Sequence, residues 1–230
     1  MKGFFTFFKY EFLSSAMPLA FTYGMGTLAL LLLRVPDISF SSEWVFYEGI
    51  IRVLLNTLMM GSFIAFGILL IVRAFQSFWV EIFGSRGYLT LTLPLSLDTI
   101  LLSKIITLAF WAVIGTYCAS VFYNLEFFVE ILLNIDIQNA LIIFFDTLII
   151  ILFYITLILF ITALLNALKV RTFVLFKGFG IALVIHLLWI PFTLVYVMRY
   201  DSFLSIDTLF LSIVFYFVAR YLIMYKLELE

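Results

Sequence analysis

An all-α, multi-pass membrane protein is the fold class this sequence predicts, and three observations carry that prediction. Hydrophobic residues make up 66% of the 230 and charged ones only 12%, about half the roughly 25% usual in soluble domains. Mean hydropathy is +1.24, more apolar surface than a soluble domain of this length could hide, so lipid must be the solvent for most of it. The apolar residues also gather in long runs separated by short charged connections. A net charge of −1 leaves no basic excess to neutralise phosphates, which argues against a nucleic-acid partner. The single cysteine, Cys118, lies in an apolar run and supports neither an intramolecular disulfide nor a cysteine-rich metal site.

A bilayer core of roughly 30 Å asks for about 20 apolar residues per helix. Six segments meet that length: about Met17–Leu33, Ile51–Val72, Ile105–Tyr123, Ala140–Leu165, Phe179–Met198 and Thr208–Met224. The first is not a cleaved signal peptide, because its flank Lys9-Tyr10-Glu11 is mixed in charge and Leu28–Leu33 runs into Arg34 without a small-residue cleavage site. Ahead of it, Phe4, Phe5, Phe7, Phe8, Phe12 and Leu13 interleave with Lys2, Lys9 and Glu11. Residues 1–16 therefore read as an interfacial helix on the inner membrane surface. With both termini inside, the cytoplasmic side collects ten basic residues: Lys2, Lys9, Arg73, Arg86, Lys104, Lys169, Arg171, Lys177, Arg220 and Lys226. The outer side receives three, Arg34, Arg52 and Arg199. That asymmetry satisfies the positive-inside rule. No connection is large enough for a soluble domain, so residues 1–230 read as a single membrane domain.

Only one connection on the basic side is long, 73–104. Within it Phe75, Phe78, Trp79, Ile82 and Phe83 recur at three and four residues, a helical apolar face, with Gln76, Ser77, Glu81 and Arg86 on the other side. Gly84 and Gly87 allow a turn, and Leu93-Pro94-Leu95-Ser96 marks the restart of a helix toward Lys104. Physics alone accommodates an amphipathic helix resting on lipid headgroups. The order of these features also resembles the first cytoplasmic loop of the six-helix permease subunits of ATP-binding-cassette exporters, the type-two export permease family. The motif covers about thirty residues, and the helix count extends the resemblance more weakly to the whole chain.

The resemblance implies a coupling helix that transmits the movement of a separate ATPase to the spans. Phe75, Phe78, Trp79, Glu81, Phe83 and Arg86 are then the residues expected to dock the ATPase. It also implies a second permease, identical or homologous, since six spans are half of the twelve expected in that family. A hydrophobic or amphipathic peptide, lipid or drug would suit the aromatic, oily spans. No Gly-x-x-x-x-Gly-Lys-Ser/Thr loop occurs, one histidine cannot supply a His-Glu-x-x-His pair, and no Gly-x-Ser-x-Gly motif is present. ATP hydrolysis is expected from a partner and no cofactor is expected in this chain.

Polar groups inside the spans are few. Asp146 reads either as a carboxylate near a helix N-terminus, favoured by the dipole and interfacial water, or as a functional intramembrane acid. His186 reads either as a neutral histidine bonded to a neighbouring helix or as part of a proton path whose other member is not evident. Those two residues are the support for the competing reading, an ion-coupled secondary transporter; a structural or immunity subunit is the third. The pairs Gly61/Ala65, Gly115/Ala119 and Ala163/Ala167 are small residues four apart, which lets helices approach closely.

Overall fold

The computed structural model describes residues 2–33, 45–84, 87, 92, 95–123, 137–199 and 204–226. It is almost entirely helical, with no strand among those residues. The elements are α1 (Lys2–Leu33), α2 (Val45–Phe78), a π-helical turn (Trp79–Phe83), α3 (Leu97–Tyr123), α4 (Ile137–Ala167), α5 (Val174–Arg199) and α6 (Leu204–Lys226). Among the described residues five helices are long and apolar enough to cross a membrane, and the described apolar stretch of α5, Val174–Trp189, lies within a helix of 26 residues. At 1.5 Å rise per residue such helices approach or exceed the hydrocarbon thickness. Large exposed side chains such as Met17, Phe21, Ile64, Phe176 and Phe210 cover the outside, as expected of a surface solvated by lipid.

The helices pack as two close pairs, α1 with α2 and α4 with α6, which α3 bridges; α5 lies against α4 and, more lightly, α6. Half of the apolar stretch of α3 and of α4 is buried, against less than a fifth for α1 and α2. The main core lies where α2 ends. There Ala74, Phe78, Ile82 and Phe83 meet Leu101, Ile105 and Leu108 of α3, Ile155, Leu159 and Ala163 of α4, and Ala219 and Ile223 of α6. Between α4 and α6, the Thr156 hydroxyl donates to Ser212 Oγ at 3.1 Å, a polar tie of the kind that joins helices in lipid.

Two boundaries differ from the sequence expectation. The expected interfacial helix over 1–16 is not a separate element: α1 runs unbroken from Lys2 to Leu33 with Pro18 inside it. Its N-terminal part is drawn into the bundle, where Phe12 stacks on Trp111 of α3 (centroids 5.3 Å apart, 17° between planes). The amphipathic segment after Arg73 is likewise not a detached surface helix. Between Gly67 and Gly84 the chain has no glycine or proline to break it, and Ala74, Phe78 and Ile82, four apart, carry a single apolar face inward. The second span and the amphipathic segment therefore form one continuous rod.

Close approaches also fall elsewhere than the small-residue pairs alone suggested. A Cβ at Gly26 would lie 2.5 Å from Ser62 Oγ, and one at Gly115 would lie 2.2 Å from the Phe66 ring. Gly115 thus admits an aromatic ring between α2 and α3, while Gly61 faces open space. Ala163 is buried in the main core.

Candidate functional site

Most of the charged residues among those described belong to one end of the bundle, where α1, α3 and α5 begin and α2, α4 and α6 finish. At its centre Lys104 of α3 is fully buried. A bare ammonium there would be prohibitively costly, and four groups converge on it. Glu11 of α1 accepts from Nζ at 3.0 Å, Ser77 Oγ of α2 accepts at 3.1 Å, and Glu81 of the π-helical turn forms a short ion pair with it. The Phe7 ring lies 5.8 Å from Nζ as a cation–π partner. Ser77 in turn donates to Glu11 Oε1 at 2.9 Å, and Arg73 Nη2 donates to Ser14 Oγ at 2.8 Å.

Helical spacing explains the assembly. Arg73, Ser77 and Glu81 recur every four residues, a polar stripe beside the apolar stripe of Ala74, Phe78 and Ile82. One stripe faces the buried lysine and the other fills the core. The π-helical turn adds its extra residue between Trp79 and Phe83, a widening often found at functional sites. Gly84 closes it with ordinary negative φ, yet a Cβ there would lie 2.9 Å from the Val80 carbonyl oxygen. Position 84 therefore needs glycine for space. Beyond it α3 restarts as the Leu93–Ser96 stretch anticipated: Ser96 Oγ accepts the Thr99 backbone N–H at 3.2 Å as an N-cap, and Asp98 stands in the first turn.

A second ion pair ties the opposite side of this end together. Arg220 of α6 grips Asp98 with Nε at 2.6 Å and Nη2 at 2.9 Å, and the Tyr216 hydroxyl donates to the same carboxylate at 2.9 Å. This pair is half-exposed, so its worth is modest beside that of the buried lysine cluster. Together the two clusters join α1, α2, α3 and α6 within the first two to three turns of α3.

The six residues expected to dock a partner divide sharply. Phe78 and Phe83 are buried inside this chain and offer no ring to another protein. Phe75 and Trp79 are half-buried and stacked on each other (6.1 Å, 19°), and Glu81 is engaged by Lys104. Arg86 lies outside the described residues. Val80, which the apolar pattern passed over, is the exposed large apolar side chain on the turn.

Asp146 and His186 are not brought together. Asp146 is half-buried on α4 and makes no hydrogen bond or ion pair among the described residues. The His186 ring is stacked on Tyr154 of α4 (5.5 Å, 14°), and its Nδ1 is 2.8 Å from the Ala182 carbonyl oxygen one turn back on its own helix. Its hydrogen bond is thus local, and the neighbouring helix supplies a ring rather than a polar partner. Among the described residues no three histidine, cysteine or acidic side chains gather as a metal site.

Glu11, Ser77 and Lys104, together with Asp98, Tyr216 and Arg220, were not singled out as a site from sequence. The available signals were the four-residue stripe on α2 and a lone acid, Glu11, in an aromatic helix. Their partners lie up to 122 positions apart, which periodicity cannot join. No family model, curated protein or solved structure matches this chain.

Proposed function

We propose that the chain is the membrane-spanning permease subunit of an ATP-binding-cassette exporter, worked by a separate ATPase and paired with a second permease. The observation that most favours this reading is the rigid join at the end of α2. Force applied to the turn after Trp79 is carried by Glu81 to Lys104 and by Phe78 and Ile82 to α3, α4 and α6. A surface helix on headgroups needs no such anchorage; a coupling element does. With Phe78 and Phe83 turned inward, docking falls to Val80, Trp79, the edge of Phe75 and Arg86. The basic excess of the chain's connections makes this end cytoplasmic. The ion-coupled alternative loses support from the separate settings of Asp146 and His186.

The chain tagged and extracted from its native membranes should bring down, in fixed proportion, a protein with a phosphate-binding loop and vanadate-sensitive ATP hydrolysis. The purified chain alone should hydrolyse no ATP above a detergent blank. Recovery of the chain without an ATPase partner from membranes where it is active would overturn the proposal, as would hydrolysis by the isolated chain.

A further inference from the structure

Helix α5 is held to the bundle along one narrow face. Val174, Ile181, Ala182 and Ile185, at helical spacing, pack against a buried cluster built mainly from α4. Gly178 lies in the same line, and a Cβ there would be in ordinary contact with Ile161 and Leu165, at 3.4 and 3.5 Å. It is the one buried residue among those of α5 whose exposure is described. Farther along, the His186 ring lies on Tyr154 of α4. The other side of the helix is open, with Phe176, Phe179, Leu183 and Leu187 all exposed.

The joint at the base of this helix is strained. Lys169 (φ 58°) and Phe173 (φ 53°) both adopt left-handed backbone conformations, which a residue with a Cβ resists. At Lys169 the end of α4 imposes the conformation. The Lys169 N–H donates to the Asn166 carbonyl at 2.8 Å and the Val170 N–H to the Leu165 carbonyl at 3.0 Å, the Schellman arrangement. Val170 also packs against the α4 cluster, so the connection is fixed that far. Phe173 differs, because its side chain is 81% exposed and gains no packing in return for the strain. Its carbonyl accepts the Lys177 N–H at 2.9 Å. Phe173 is thus the residue from which α5 starts, and rotation about its φ pivots the whole helix. Strained conformations persist only where the surroundings impose them. For Phe173 those surroundings are the fixed Val170 on one side and the docked α5 on the other.

We propose that α5 is a hinged helix that swings as a rigid rod about Phe173, between its docked position and one displaced from α4. Docking keeps the packing along the Gly178 face and holds the strain; swinging gives up that packing and releases the strain. At 1.5 Å per residue Leu187 lies about 21 Å along the axis from Phe173, so a swing of roughly 20° carries it about 7 Å from α4. Trp79, at the end of α2, packs against both this cluster and the main core, so movement there reaches the base of α5. The hinge stands on the packing of this chain and is independent of the exporter reading, so its failure leaves that reading untouched.

The test is pulsed electron paramagnetic resonance on the full chain with Cys118→Ser, reconstituted in phosphatidylcholine nanodiscs. One nitroxide pair, Ile150→Cys with Leu187→Cys, spans α4 and α5. A control pair, Ile150→Cys with Phe210→Cys, spans α4 and α6, and all three sites are exposed. The first pair should show two distance populations about 7 Å apart, and the control pair one. Phe173→Gly removes the Cβ that resists the left-handed position, so it should shift the ratio toward the docked population by on the order of tenfold. Phe173→Val, β-branched and less tolerant still, should shift it the other way. The control pair should respond to neither substitution, because position 173 lies outside the core. A single α4–α5 population that neither substitution changes would overturn the hinge, as would shifts of the same sign for glycine and valine. Broadening of both pairs together would overturn it too, by showing a loosened bundle rather than one moving helix.

Discussion

Replacing Lys104 by leucine should destabilise the protein by about 3–5 kcal/mol, the usual cost of breaking a buried ion pair by removing one partner. The lysine side chain is fully buried, while Glu11 and Glu81 are 12% and 19% exposed. Without the ammonium, two carboxylates and the Ser77 hydroxyl face each other across a poorly solvated space. The damage lies in the unpaired acids rather than in the missing lysine. A Lys104→Leu/Glu11→Gln/Glu81→Gln variant should therefore recover most of the loss, because neutral replacements of buried ion networks are often tolerated. Thermal loss of the monodisperse peak in detergent, measured for both variants, checks this. Equal destabilisation by the single and triple changes would mean that packing, not charge, holds this end together.

Phe78→Ala should cost on the order of 3 kcal/mol, the range for emptying a buried aromatic site. Its ring is fully enclosed where α2, α3, α4 and α6 meet, and no single neighbour can collapse into the space. Phe176→Ala, which removes the same ring from a position 80% exposed, should change stability by no more than about 0.5 kcal/mol. Lipid refills that volume. The contrast, read in the same melting assay, separates a core role for Phe78 from the docking role that the resemblance implied. An effect at Phe78 as small as at Phe176 would place its ring on the surface after all. Loss of a partner from a Phe78→Ala/Trp79→Ala variant would thus report a loosened core as much as a lost interface.

The spans were legible because lipid makes a simple demand: about 20 apolar residues in a row. The cap that Ser96 provides is what the structure adds; the restart after the Leu93–Ser96 stretch was itself legible, because proline is tolerated at a helix start. The inward turn of Phe78 and Phe83 was not. An apolar helix face looks the same whether it meets headgroups, a partner or its own bundle, and only the positions of α4 and α6 decide. Lys104 and Arg220 could be counted for orientation, but their carboxylate partners could not be found, because no local spacing links Glu11 to Lys104 or Asp98 to Arg220. The helix of 32 residues that α1 became was hidden by its composition. Charges among its first residues suggest a surface segment until Lys104 is seen waiting for Glu11.

Photo-crosslinking from Val80 in native membranes tests the coupling role most directly. Val80 is 39% exposed on the turn and Ile64 is 64% exposed on the same rod four turns earlier. If the proposed coupling is right, a photoreactive residue at Val80 should give an adduct with the proposed ATPase partner, and one at Ile64 should react with lipid or the proposed second permease only. Lipid adducts alone from Val80, in the native membranes, would contradict the account and return the end of α2 to a purely structural part in the bundle.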